Sequence, residues 1–353
     1  MNMIETSVQR GFKQKPLPLP PGNLFTRTLA AKTLASLRRC RVDDVIAELW
    51  PNDLVLRAAT APAMTSVVGW AQELAQRRVD DTLVAMGQAS AAATVMQESL
   101  VLDWNGAGTI SAPGFIANAA NSGFVAEGAP IPVRQLAAAA ALLLPYKLAT
   151  IAVLTREMVE SSNAERLISN ALIQSSGLAL DSVFFGAAAA TAAQPAGIRN
   201  GIAASTPSAN TDAFGAFFED MATLLNAVGA VGGNGPFFLI SSIGRMASAS
   251  GRYGSLKAEG TDATIIPLAS AAVGNDIIAI SPKALVAALS ADPAVETDNA
   301  ATLVMDTAPV APNTTMATKG MFQTDSVAVK VRWPCSWALR NPAAVAWLTP
   351  VWK

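Results

Sequence analysis

Between Gly123 and Val133 the chain reads Gly-Phe-Val-Ala-Glu-Gly-Ala-Pro-Ile-Pro-Val, and about 30 residues further on it enters one long amphipathic helix. Glycine and proline at this density exclude a helix interior and a central strand alike, so the first stretch reads as an extended arm. An extended arm cannot bury its own apolar residues and has to lie on another surface. In an otherwise ordinary soluble chain that surface is most simply a second copy of the same chain. The pattern points to assembly before it points to catalysis.

Composition agrees. The 353 residues suffice for one large domain or two modest ones. Charged residues make up only 14%, against about 25% in typical globular domains. A charge-poor surface is understandable when much of it is buried between subunits. The net charge of −1 gives no overall basic field. Residues 1–41 nevertheless carry Arg10, Lys13, Lys15, Arg27, Lys32, Arg38, Arg39 and Arg41 against Glu5 alone. Such a segment either faces a polyanion or an acidic partner surface, or is a solvated tail.

The chain has no histidine, which removes the commonest general base and transition-metal ligand. Cys40 and Cys335 lie far apart and form no CxxC pair, so a zinc site or a disulfide framework is not expected. Two readings stay open for them: two free thiols in a reducing compartment, or a covalent tie between Cys40 of one subunit and Cys335 of another. No N-terminal secretion signal is visible. The longest apolar run, Leu136 to Pro145, is too short to span a bilayer. The expectation is a soluble protein of cytosolic origin with no membrane partner.

Along the chain, Pro16, Pro18, Pro20 and Pro21 favour an extended path, a short helix is predicted from Thr26 to about Arg41, and Trp50-Pro51 breaks the pattern. Val67, Val68, Ala71, Leu74 and Ala75 recur at helical spacing, and a second helix is predicted from Asp80 past Met86 towards Glu98. Residues 100–156 read as β-rich, with a long two-stranded excursion and a strand over Lys147–Thr155. Ser162-Asn163-Ala164-Glu165 fits a capping box. Ala164, Leu167, Ile168, Ala171, Leu172, Ser175, Leu178 and Ala179 then form one predicted apolar stripe. A further helix is predicted over Asp212–Val228, burying Phe214, Phe217, Phe218, Met221, Leu224 and Leu225 and exposing Glu219-Asp220. Beyond Pro236, strands and helices alternate: strand Phe237–Ser241, a helix near Ile243–Ser250, strand Ile277–Ile280 and a helix from Pro282 to about Leu289. Ser326–Trp333 closes the series as a strand.

Organised chemistry is absent from this reading. The cluster Gly229–Gly235 lacks a GxGxxG register and ends a helix rather than opening one. Glu157 and Glu160 precede a helix, where acids are favourable on electrostatic grounds alone. Asp292, Glu296 and Asp298 lack the turn glycine of a calcium loop, and Pro293 stands against one. No serine lies in a Gly-x-Ser-x-Gly elbow. Trp333, Trp337, Trp347 and Trp352 read as core or interface anchors rather than a base-stacking platform. No catalytic, cofactor-binding or metal-ligating residue is expected, and no cofactor.

Four segments in order carry a resemblance: Gly123–Val133 joined to Lys147–Glu160, Asp181–Gly186, Gln194–Ile198 and Met321–Lys330. They resemble the major capsid protein of tailed phages, with its Hong Kong 97-like fold, over roughly residues 105–353. The resemblance implies an α+β chain. Its parts are an N-terminal arm (1–60), N-terminal helices (61–104), an extended β-hairpin loop (105–146), a peripheral domain with a long spine helix (147–234 and 321–353) and an axial domain (235–320).

The resemblance further implies self-assembly as hexamers and pentamers into an icosahedral head around double-stranded DNA, made in the host bacterial cytoplasm. Portal, scaffold and decoration proteins are partners of that family, and packaged DNA is contacted without sequence preference. Glu127 and Arg134 are expected to make inter-subunit ion pairs on the loop, and Arg38 and Arg39 are further candidates for inter-subunit contact. The loop has no lysine between Gly106 and Tyr146, so the lysine–asparagine crosslink of some members has no donor here. Nothing before residue 60 resembles the cleaved helical scaffold segment of others. An encapsulin-like compartment shares the fold and is the alternative reading; a cytosolic α/β enzyme is the alternative from a different class.

Overall fold

The structure is a computed structural model. It describes residues 40–51, 89–104, 108–114, 124–127, 140–155, 164–233, 235–247, 265–290, 294–306 and 318–352, and positions 27, 31, 32, 34, 35, 38, 83, 86, 87 and 157. Side chains of the long helix are described from residue 173 onward. The proline-rich arm, the 63–79 helix, the Ser162–Asn163 cap and most of the excursion fall outside these residues.

The described positions between 27 and 38 are helical, and α1 follows at Val42–Leu49. Ala31, Leu34 and Ala35 pack on Val45, Ile46 and Trp50 in a small cluster of their own. The described positions between 27 and 38 agree with the helix predicted from Thr26 to about Arg41, and α1 is an addition to that reading.

The predicted 80–98 helix is interrupted. Residues 83, 86 and 87 are helical, the chain turns at 89, and α2 (Ala91–Gln97) starts afresh from Ser90. Ser90 forces the restart, because its Oγ accepts from Ala93 N at 3.1 Å and caps the new helix.

Next come β1 (Leu100–Asp103), β2 (Ile110–Ala112), β3 (Ala141–Leu143) and β4 (Tyr146–Thr155). The long helix is α3 (Ala164–Phe184), and α4 (Ala213–Gly232) is the second. The strands after it are β5 (Phe237–Ser241), β6 (Ile265–Ala269), β7 (Ile277–Ile280), β8 (Leu285–Leu289) and β9 (Ala294–Asp298). Then follow β10 (Thr302–Val304), β11 (Thr318–Gly320), β12 (Ser326–Leu339) and β13 (Val345–Leu348).

Two sheets organise the body. One runs β1-β8-β12-β4, with β9 also on β12; the other runs β13-β7-β5-β6. Sequence order and sheet membership interleave, since β8 and β9 join the first sheet and β13 the second.

Strand β12 runs six residues beyond the predicted end at Trp333, through Pro334. The proline is tolerated because of where it falls. On one side of β12 the partner is β9 up to Arg332 and β8 from Cys335, so the missing N–H lies in the gap between them.

Strand β8 replaces the helix predicted from Pro282. Only Pro282–Ala284 makes a single helical turn. Leu285, Ala287 and Leu289 then enter the central core with Trp333 and Trp337, while Val286 and Ala288 pack with Trp104 and Leu143 on the other face. A strand covered on both faces needs a continuous apolar run, and such a run has no two-residue period to betray it.

The spine of the body is α3, whose buried face is Ile173, Gly177, Leu180, Asp181 and Phe184. A Cβ on Gly177 would stand 3.0 Å from the Ala89 carbonyl, so only glycine lets the chain before α2 cross this closely. One turn on, the buried Asp181 carboxylate accepts from Ser90 Oγ (2.5 Å), Ala92 N (3.0 Å), Ala91 N (3.3 Å) and Ser270 Oγ (2.6 Å). It ties α3 to the start of α2 and to the β6–β7 connection.

A tight crossing also holds the loop after α3. A Cβ on Gly197 would stand inside the Gly186 carbonyl, which is backbone and cannot move aside. Gly197→Ala is expected to destabilise the chain by about 2–3 kcal/mol, the scale of an overpacked core position. A thermal melt measures it, and an unchanged midpoint would show that the two strands of loop separate freely.

Helix α4 starts from Asp212, whose Oδ2 accepts from Gly215 N at 2.7 Å. It covers the second sheet through Phe217, Met221, Leu224 and Val228. Phe214 is exposed, against the prediction, and so is the carboxylate of Glu219, as predicted. Asp220 corrects the sequence reading: it is 1% exposed, accepting from Ser208 N at 2.7 Å and Trp352 Nε1 at 2.8 Å.

Candidate assembly surfaces

The four tryptophans act as anchors, each by its indole N–H. Trp333 donates to Ser290 O (2.8 Å), Trp337 to Ala196 O (2.9 Å), Trp347 to Ile202 O (2.9 Å) and Trp352 to Asp220. Each pins a loop or a neighbouring element against a sheet. Arg199 adds a second tie: it donates to Phe185 O at 2.7 Å, pairs with Asp276 at 2.5 Å and lies 4.9 Å over the Trp347 ring. This rigid body presents what remains at its surface.

Several large apolar side chains remain there. β2 pairs with β3 through Ile110↔Leu143 and Ala112↔Ala141, so the 28 residues between 112 and 141 leave and return at one root. The root sits on the core through Ala112 and Leu143. Above it, Phe124 is 111% exposed, with Val125 and Glu127 also at the surface. Leu142 and Leu144 are exposed beside the root. On the opposite flank Phe322, in the turn between β11 and β12, is 86% exposed and Met305 is exposed beyond β10.

The described members of the predicted α3 stripe are also outward. Ser175, Leu178 and Ala179 are exposed, Leu178 by 61%. From residue 173 onward the helix therefore buries a different face from the one its periodicity suggested. Small residues and leucines carry the stripe; a carboxylate and a glycine lie in the buried face, which inverts the usual signal.

The outer face of the first sheet mixes charged and apolar residues, among them the exposed Ile151. Register places Lys147, Ala149 and Ile151 of β4 beside Pro334, Arg332 and Lys330 of β12, with Glu296 of β9 pairing with Lys330. That pairing holds the Glu296 carboxyl below its ordinary range.

The expected contact residues fall out unevenly. Glu127 is exposed on the excursion, while Arg134 and Arg39 lie outside the described residues. Arg38 pairs with Glu48 of its own chain at 3.0 Å, both side chains largely exposed. Cys40 is exposed and Cys335 is buried, both as free thiols. Cys335 stands in β12 opposite Tyr146 and Leu289, and burial pushes its thiol up to about 12. A Cys40–Cys335 tie between subunits would need a partner thiol to reach Cys335 inside the sheet.

Two results follow for the thiols. A maleimide is expected to label Cys40 alone in the native protein and both after unfolding; native labelling of Cys335 would contradict its burial. The folded thiol is raised above its ordinary value of 9.0, so its contribution is complete below that pH and is lost as pH rises towards about 12. Cys335→Ala is expected to flatten the alkaline fall in stability, read from denaturant midpoints at successive pH values.

Among the described residues no group of acidic or cysteine side chains could hold a metal ion, and no helix is long and apolar enough to cross a membrane.

No protein-family model and no curated protein matches the chain. Solved structures do. That of Microbacterium phage Oxtober96 matches with a TM-score of 0.50 at 15% identity, over 74% of this chain and 91% of that one. A virus-like particle from Pyrococcus furiosus matches at 0.48 and 13% identity, over 77% and 97%. The satellite phage P4 procapsid including its size determination (Sid) protein matches at 0.46 and 10%, over 83% and 94%. The fold is thus of the class found in phage capsid proteins. It is the Hong Kong 97-like fold.

Proposed function

We propose that the chain is a major capsid protein that self-assembles into the icosahedral head of a tailed double-stranded DNA phage. The capsid fold supports this, and so does the one observation that carries it: Phe124 stands fully exposed on an excursion rooted in the rigid core. A lone aromatic at full exposure gains most by burial against another subunit. Phe322, Leu178 and Met305 are exposed as well, and a subunit with several neighbours needs more than one such contact.

In this reading the excursion is the extended loop, α3 the spine of the peripheral domain and residues 235–320 the axial domain. Copies meet head to tail in hexamers and pentamers. Glu127 and Arg134 pair between subunits, and the basic N-terminal region lies on the inner face or under a neighbour's spine. Portal, scaffold and decoration proteins are further partners, and DNA is packaged through non-specific contacts. The protein is made in the host bacterial cytoplasm and ends in the virion capsid. It acts as a structural protein and not as an enzyme.

Phe124→Asp tests the reading. The variant is expected to keep the parent's melting curve as a free subunit. Each subunit contact is expected to weaken by about 2 kcal/mol, roughly 30-fold in the assembly concentration. Light scattering against concentration measures it; assembly at the parent's threshold would remove Phe124 from the contact. An encapsulin-like compartment is separated by content: nuclease-protected DNA in particles from infected cells supports the phage head, and packaged protein with no genome supports the compartment.

A further inference from the structure

We infer that Asn200 is a self-modification site, at which the backbone nitrogen of Gly201 converts the side-chain amide through a cyclic imide into aspartate and isoaspartate. Asn200 and Gly201 are the two central residues of a turn closed by Ile202 N donating to Arg199 O at 3.1 Å. Three features of this turn favour ring closure. The Asn200 side chain is exposed to water. Gly201 sits at φ +75°, and a Cβ added to it would meet nothing within 4 Å, so no side chain crowds the attacking nitrogen. Among the described residues the Gly201 N–H donates no hydrogen bond, so deprotonation breaks no interaction there.

The step balances with water alone. Hydroxide takes the Gly201 amide proton, the nitrogen bonds to Asn200 Cγ, and the Cγ–Nδ2 bond breaks. Ammonia leaves with a proton from water, which regenerates hydroxide. Water then opens the five-membered ring at either carbonyl. Opening at the side-chain carbonyl gives aspartate, and opening at the backbone carbonyl gives isoaspartate.

The product matters to its surroundings. Asn200 Nδ2 now donates to Ala187 O at 3.0 Å and so holds the alanine loop that follows α3. After conversion a carboxylate oxygen faces that carbonyl, acceptor against acceptor, and the tie is lost. Asn200 also lines a cavity of about 260 Å³ shared with Pro195, Trp337, and Leu142 and Tyr146 beside the excursion root. An ageing reaction in the folded chain therefore loosens the floor next to the excursion. The inference does not depend on which shell the chain builds.

The test is peptide mapping by tandem mass spectrometry of the purified full-length chain held in mildly alkaline buffer. The same chain unfolded in denaturant runs alongside, with Asn200→Gln as the slow-closing control. Isoaspartate is expected at residue 200 of the folded chain at a rate comparable with the unfolded one, rising with pH and absent from the Gln variant. Asn105-Gly106 and Asn234-Gly235 serve as internal references in the same digest. Conversion at residue 200 in the unfolded chain but not in the folded one would overturn the inference.

Discussion

Asp181→Ala is expected to lower the unfolding free energy by about 3 kcal/mol. The carboxylate is buried and accepts from two hydroxyls and two backbone N–H groups. The Ser90 and Ser270 hydroxyls can turn to other acceptors, whereas Ala91 N and Ala92 N are fixed at the start of α2 and are left without one. A helix of seven residues has little stability of its own, so its seat against α3 decides whether it forms. Asp181→Asn keeps the size and one acceptor but adds donors, and falls between the parent and the Ala variant. Denaturant unfolding with helical ellipticity as the probe measures both. If Asp181→Ala unfolds at the parent's midpoint, the clasp contributes nothing and α2 is held by its apolar face alone.

Trp352→Ala is expected to cost about 4 kcal/mol, the range of a large buried aromatic reduced to a methyl group. The indole stacks edge-on to Phe217 at 5.3 Å and lies under the Arg245 guanidinium at 5.5 Å. Arg245 in turn donates to the Trp352 carbonyl at 3.1 Å, so the last described residues strap α4 to the 243–247 helix. Removal also takes one of two hydrogen-bond donors from the buried Asp220. Trp352→Phe separates the two effects: it restores most of the packing and leaves the carboxylate short of a donor, about 1–2 kcal/mol below the parent. Equal losses for Phe and Ala would place the whole effect on the hydrogen bond.

The strands with a two-residue period were legible from sequence. Lys147–Thr155 alternates because one face meets the core and the other meets water; Ser326–Trp333 is also a strand as predicted, and the two pair with each other, which was not read from sequence. Ile277–Ile280, predicted as a strand, is one. β8 was not, because a run buried on both faces looks the same as a buried helix. The long helix was placed correctly, and its described part, from residue 173 on, is turned differently from the reading. Its sequence stripe is the more regular, yet Gly177 and Asp181 occupy the buried face, and no periodicity rule assigns a glycine and a carboxylate to a core.

Long-range partners explain the other misses. Asp220 looked like half of an exposed acidic pair until Trp352, 132 residues away, supplied its donor. The assembly surface was legible only in part. The glycine- and proline-rich excursion announced itself, but Phe322 and Leu178 became candidates only when packing left them outside.

Negative-stain electron microscopy of the purified full-length protein, over a range of concentrations, tests the central claim most directly. Closed shells or rings of five and six subunits are the predicted result. A uniform monomer at every concentration, with the parent fold intact by circular dichroism and still unassembled in the presence of the capsid-gene neighbours expressed with it, would contradict it.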